Sequence, residues 1–220
     1  MTSPARTEAF SDGVLAVAIT LLVLDLKVPL VESDLLAALL RGWLPAAAFA
    51  VSFATIGIIW VNHHGVFDRL VRVDRTLLYL NLALLMTVVL IPFSTALLAD
   101  YLDAGHDAGT AAAVYGLNMS AMGLAFGSIW RHATSRGLVA GVDRMAARAF
   151  MWRFAVGTPL YVLAVGAALV DARLSLFIYA ALAVYYGAFV TVPGRPRRAG
   201  GDGDAPGPGP APPPCGGRDR

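Results

Sequence analysis

Apolar residues dominate this chain in six long runs separated by short polar stretches. The runs fall at about 9–28, 43–64, 76–99, 110–131, 149–170 and 173–192. As helices rising about 1.5 Å per residue, runs of this length cross the roughly 30 Å apolar core of a bilayer. The pattern predicts an all-α membrane protein with six transmembrane helices.

The punctuation between the runs sharpens this reading. In the first connection, Pro29 to Gly42, Ser33 or Asp34 is placed to cap a short helical lead-in to the second span; a plain solvent loop is the other reading. Pro45 suits the first turn of the second span. Pro92 falls inside the third span and predicts a kink, because proline removes one backbone hydrogen bond. Gly116, Ser120, Gly123 and Gly127 give the fourth span small residues suited to close helix packing. Asp171, Ala172 and Arg173 join the last two spans through a hairpin-like turn. From residue 193 the chain becomes Pro/Gly-rich and loses all apolar periodicity. The expected organisation is a six-span unit over 1–192 and a disordered cytoplasmic tail over 193–220.

Composition agrees: of 220 residues 57% are hydrophobic and 15% charged, leaving no room for a large soluble domain. The distribution of charge adds orientation. All of the 17 Lys and Arg residues except Lys27, Arg41 and Arg173 fall on the side that holds the N-terminus. Under the positive-inside rule both termini are cytoplasmic, and the bilayer expected is a bacterial inner membrane. The lone Cys215 excludes an internal disulfide or a cysteine metal cluster. No P-loop, nucleophile elbow, dinucleotide fingerprint or HExxH motif occurs, so no enzyme, no cofactor and no nucleic-acid partner are expected.

The candidate chemistry gathers in the first run, RTEAFSDGVLAVAITLLVLDLKVP, from Arg6 to Pro29. An aspartate at its front and a closing Asp-Leu-Lys-Val-Pro argue against a signal peptide. On a helical wheel Phe10, Gly13, Val17, Thr20, Leu21 and Leu24 share one stripe, while Ser11 and Asp12 point away from it. An ionised aspartate facing lipid costs about 2.5–3.5 kcal/mol or more, so Asp12 should face protein or the water boundary. Arg6, Ser11, Asp12, Trp60, Asn62, His63, His64 and Asn81 all fall near the cytoplasmic ends of the first three spans. Polar groups at that depth should find one another, which predicts a network bracing the first helix against the second and third; separate solvation at the wet boundary is the other reading. His63 and His64 point about 100° apart on a helix and cannot readily grip one metal ion; one should bond inside the bundle while the other meets the interface. The stripe itself is open to two readings, ordinary packing or a pore wall.

Arg6, Phe10, Ser11 and Asp12, in the order R-x-x-x-F-S-D-G-V and followed by A-V-A-I-T-L-L-V-L-D, resemble the first-helix signature of the transmembrane protein 175 family. These are potassium-permeable cation channels of endosomes, lysosomes and bacteria. The resemblance spans residues 1 to about 192. It implies a homotetramer whose first helices line a central pore, with the Phe-Ser-Asp motif as a structural clamp beside it. It further implies that Val17, Leu21 and Leu24 form the narrow part and that Thr20 bears on potassium preference. Many relatives carry isoleucine or leucine where this chain has Val17, which implies a wider constriction and leakage to other monovalent cations. Apolar rings of this kind gate by dewetting; no TVGYG-type carbonyl filter is present. The alternative from a different class is a small secondary transporter or proton-coupled carrier in which Asp12 and His63 titrate. A membrane-embedded partner with no flux of its own is a third.

Overall fold

The computed structural model describes residues 3–26, 34–104, 106–168 and 170–189. Lys27 to Ser33 and everything after Phe189, including the Pro/Gly-rich segment 193–220, lie outside the described residues. The secondary structure described is helical apart from one isolated β-bridge. The helices are α1 (Pro4–Leu21), α2 (Leu35–Arg41), α3 (Trp43–Phe67), α4 (Arg75–Val89), α5 (Ile91–Ala104), α6 (Ala108–Ser135), α7 (Arg144–Ala155), α8 (Gly157–Ala168) and α9 (Ala172–Phe189).

Among the described residues five helical stretches are long and apolar enough to cross a membrane: Pro4–Leu24, Trp43–Phe67, Arg75–Leu102, Ala108–Ser135 and Ala147–Ala168. The shorter apolar helix Ala172–Ala188 follows as a sixth. One expected break and one expected cap are present. The third span divides at Leu90, just before Ile91 and Pro92, into α4 and α5. Asp34 caps the lead-in helix α2, its carboxylate accepting from the Ala37 N–H at 3.0 Å. Two boundaries differ from the hydropathy reading. The first helix starts at Pro4, because proline at the first helical position has its torsion already set. The helix that carries the fifth span starts at Arg144, inside the basic segment, and breaks at Val156. Gly157 and Pro159 account for that break: both disfavour a continuous helix, and proline clashes with the carbonyl four residues back.

Helix α6 runs through the middle of the molecule and packs against α4, α5, α7, α8 and α9, whereas α1 packs on the other side against α3, α4 and α5. Apolar side chains from every layer fill the core, among them Ile56, Leu77, Leu84, Met119 and Ile129. Gly116 shows why small residues matter on α6. A Cβ there would lie 2.4 Å from the Tyr179 hydroxyl and 2.5 Å from Val165 Cγ2, so α6 reaches α8 and α9 only with no side chain at that point. Buried hydroxyls link the layers: Thr95 on α5 donates to Ser52 on α3 at 2.7 Å, and Ser52 meets the Tyr115 hydroxyl on α6 at 3.0 Å. At the end of the molecule holding the N-terminus, the α3–α4 and α6–α7 connections pair edge to edge. Val71 N–H donates to the Leu138 carbonyl and Ala140 N–H to the Arg69 carbonyl, both at 2.9 Å.

Candidate pore helix and its polar clamp

Helix α1 has two unlike faces. Thr7, Ser11, Leu15, Ala18 and then Leu22 are buried against the rest of the chain, three or four residues apart. The opposite face carries Phe10, Val17, Thr20, Leu21 and Leu24, all exposed; Val17 is 58% and Leu24 76% accessible. The stripe drawn from the sequence is therefore the face that the rest of the chain leaves uncovered. The helix tightens into a 3-10 turn over Leu22–Asp25, so Leu24 sits beyond the regular helix. The Thr20 hydroxyl donates to the Val17 carbonyl at 2.8 Å. That bond uses its proton and leaves oxygen lone pairs free on the exposed face.

The buried face is locked by a linear chain of hydrogen bonds. Ser11, fully buried, donates to the Thr7 carbonyl at 2.9 Å and accepts from the Asn81 side-chain amide at 2.8 Å. The Asn81 oxygen pairs with His63 Nε2 at 2.9 Å. Because the amide NH₂ is directed to Ser11, the remaining Asn81 group is an acceptor, and Nε2 must carry the proton. The His63 ring also stacks on Phe67, with centroids 4.2 Å apart. Three helices, α1, α3 and α4, thus meet through three side chains.

A second set of contacts runs along the half-exposed seam between α1 and α3. Trp60 Nε1 donates to Asp12 at 3.1 Å, and His64 Nδ1 pairs with Glu8 at 2.7 Å. Glu8 and Asp12 are four residues apart on α1; His64 and Trp60 are four apart on α3 in the reverse order, as two antiparallel helices require. His63 and His64 part company as the wheel required, one inward to Asn81 and the other outward to Glu8. The structure therefore brings together Ser11, Asp12, Trp60, His63, His64 and Asn81. It leaves three of the sequence-derived residues apart. Arg6 and Phe10 are exposed. Asn62 faces away: its amide donates to the Ile58 carbonyl of its own helix at 3.0 Å, and it lines a hollow shared with α6, α8 and α9. Glu8 was not singled out by the sequence, although its spacing from Asp12 matched the Trp60–His64 pair.

A family model described as the endosomal/lysosomal potassium channel TMEM175 matches residues 6–92. A potassium channel of Streptomyces collinus is 50% identical over 203 residues, covering 90% of this chain and 98% of that one. The chain belongs to the TMEM175 family. The crystal structure of a potassium-selective TMEM175 homologue from Chamaesiphon minutus superposes with a TM-score of 0.77 at 39% identity, covering 85% of this chain and 97% of that one. The chicken endosomal/lysosomal proton channel TMEM175 is 33% identical over 115 residues, which is 48% of this chain but 23% of that protein. The TMEM175 family is one of ion channels in membranes, and its matched region holds α1, α3 and α4, the helices joined by Ser11, Asn81 and His63.

Proposed function

We propose that this protein is a potassium-permeable channel in which four copies set α1 around a common axis. The observation that carries this is the division of α1: polar bonds hold one face to the subunit, while the other presents Val17, Thr20, Leu21 and Leu24 uncovered. One subunit offers one such helix, so a closed ring needs several copies related by rotation. Rings of valine and leucine exclude water and force a cation to shed part of its hydration. Thr20 oxygens, with lone pairs free, partly replace that water. Val17 is small for such a ring, which favours potassium with some passage of other monovalent cations. The named channels of Streptomyces collinus and Chamaesiphon minutus support the same reading.

In this reading Ser11, Asp12, Trp60, His63, His64 and Asn81 keep α1 upright and do not touch the ion. The six-span unit is residues 1–192, and 193–220 is a cytoplasmic tail outside it. The protein sits in a bacterial plasma membrane with both termini inside, following the bias of lysine and arginine. The test is flux from purified protein in liposomes under potassium or sodium gradients. Single-channel steps with a reversal potential near that of potassium are expected. Flux that saturates and is strictly coupled to protons would mark a carrier and overturn the reading.

A further inference from the structure

Asn62 is buried to 1% accessibility, and its side-chain oxygen has no hydrogen-bond partner. An unpaired amide oxygen at that depth is costly in an apolar medium, where no water replaces the missing donor. Asn62 and Ile58 line two adjoining spaces. The inner one is a hollow of about 30 Å³ between α3, α6, α8 and α9, walled also by Thr158, Tyr161 and Tyr186. The outer one is a groove of about 310 Å³ between α3 and α9, formed by Ala54, Gly57, Val61 and Gly187. Among the described residues no charged side chain lines either space.

We propose that the groove binds a neutral, single-chain amphiphile bearing a hydroxyl group, whose O–H donates to Asn62. Three features select that class. The unpaired group is an acceptor, so the ligand must supply a donor. None of the described lining residues is a cation, so a phosphate or carboxylate head gains nothing from them. The groove is apolar and runs along the helix: Asn62 lies five residues before the α3 end at Phe67, roughly 7–8 Å, and Ala54 lies roughly 12 Å deeper. A head near the water boundary with a chain directed to mid-membrane is how such a molecule already lies in a leaflet. Gly57 adjoins open space in the groove, since a Cβ added there meets no atom within 4 Å. The site is separate from the exposed face of α1 and does not depend on the pore reading.

The experiment is photolabelling of the full chain in phosphatidylcholine vesicles with a diazirine-bearing decanol, with adducts mapped by mass spectrometry. Adducts are expected to concentrate on the α3 and α9 peptides that form the groove. The matching methyl ether, which has no O–H, should label those peptides about fivefold less, as the loss of one hydrogen bond near 1 kcal/mol predicts. Asn62→Leu should bring the alcohol down to the level of the ether, and Gly57→Leu should block both. Equal labelling by alcohol and ether in the native protein, a comparison that needs no variant, overturns the proposal. So does labelling spread evenly over all lipid-facing helices.

Discussion

Asn81 is the residue on which the attachment of α1 most depends, because it gives one bond to Ser11 and takes another from His63. Asn81→Leu leaves the His63 N–H and the Ser11 oxygen without their partners in a buried place. One stranded donor costs about 1–3 kcal/mol, while interhelical bonds in membrane proteins average nearer 0.6. The first figure applies here, because the leucine also blocks any substitute partner. A loss of about 1–3 kcal/mol is therefore expected, read as a lowered unfolding midpoint in detergent. Asp12 differs, although it belongs to the same motif. It sits on a seam where Trp60 is 48% accessible, so Asp12→Ala should cost the subunit fold under about 1 kcal/mol. Its loss should appear as absent current or failed assembly; normal current with intact selectivity would remove Asp12 from the clamp. Thr20 belongs to the other face. Thr20→Ala should lower the potassium-over-sodium permeability ratio in bilayer recordings, by about fivefold for each 1 kcal/mol of lost oxygen coordination, and Thr20→Ser should retain it. An unchanged ratio in the alanine variant removes Thr20 from the pathway.

Among the helices, the start of α4 shows how ends are secured. Asp74 caps it, accepting from the Leu77 N–H at 2.8 Å, and also binds His132 on α6 at 2.9 Å. The Leu77 N–H above all, with His132 in support, holds the Asp74 carboxyl below the usual carboxylate range; partial burial opposes the shift. A lowered native value means the carboxylate stabilises the fold above its ordinary pKa and stops doing so as pH falls through the lowered one. Asp74→Ala should therefore cost about 1 kcal/mol at neutral pH. The gap in unfolding midpoint between the two proteins should close in strong acid, and Asp74→Asn, which can still cap, should lose less. Much at this scale was legible in the sequence, because apolar length, proline and capping residues act locally. The Pro92 break and the Asp34 cap are such cases. The Val156 break had its signal in Gly157 and Pro159, but the hydropathy of the run hid it. Arg144 and Arg148 hid the start of α7 in the same way. The role of Asn62 depended on the wheel: it lies about 160° from Trp60, so one face of α3 could not hold both.

For the whole molecule, the exposed face of α1 has to meet either lipid or other copies of itself, and cysteine chemistry separates the two. Cys215 is the single native cysteine, so Cys215→Ser gives a clean background. Val17→Cys on that background places a thiol on the exposed stripe. Val184→Cys places one on α9, whose side chain is 69% accessible and whose helix packs against α3, α6 and α8 rather than α1. Around a four-fold axis, each Val17 lies near its equivalents in the neighbouring subunits, and a heterologous ring closes at four. A short bifunctional maleimide should then give a ladder from monomer to tetramer with Val17→Cys and no ladder with Val184→Cys. A water-soluble thiol reagent gives an independent reading. In an open pore it reaches position 17 from the aqueous phase and lowers potassium current, whereas a thiol buried among acyl chains does not ionise and stays unmodified. A ladder stopping at two, or modification at 184 as fast as at 17, would place the stripe against lipid or a two-fold partner. In that case the polar clamp on α1 would still stand as the means of packing one helix onto its subunit, but four of those helices would not enclose a path for ions.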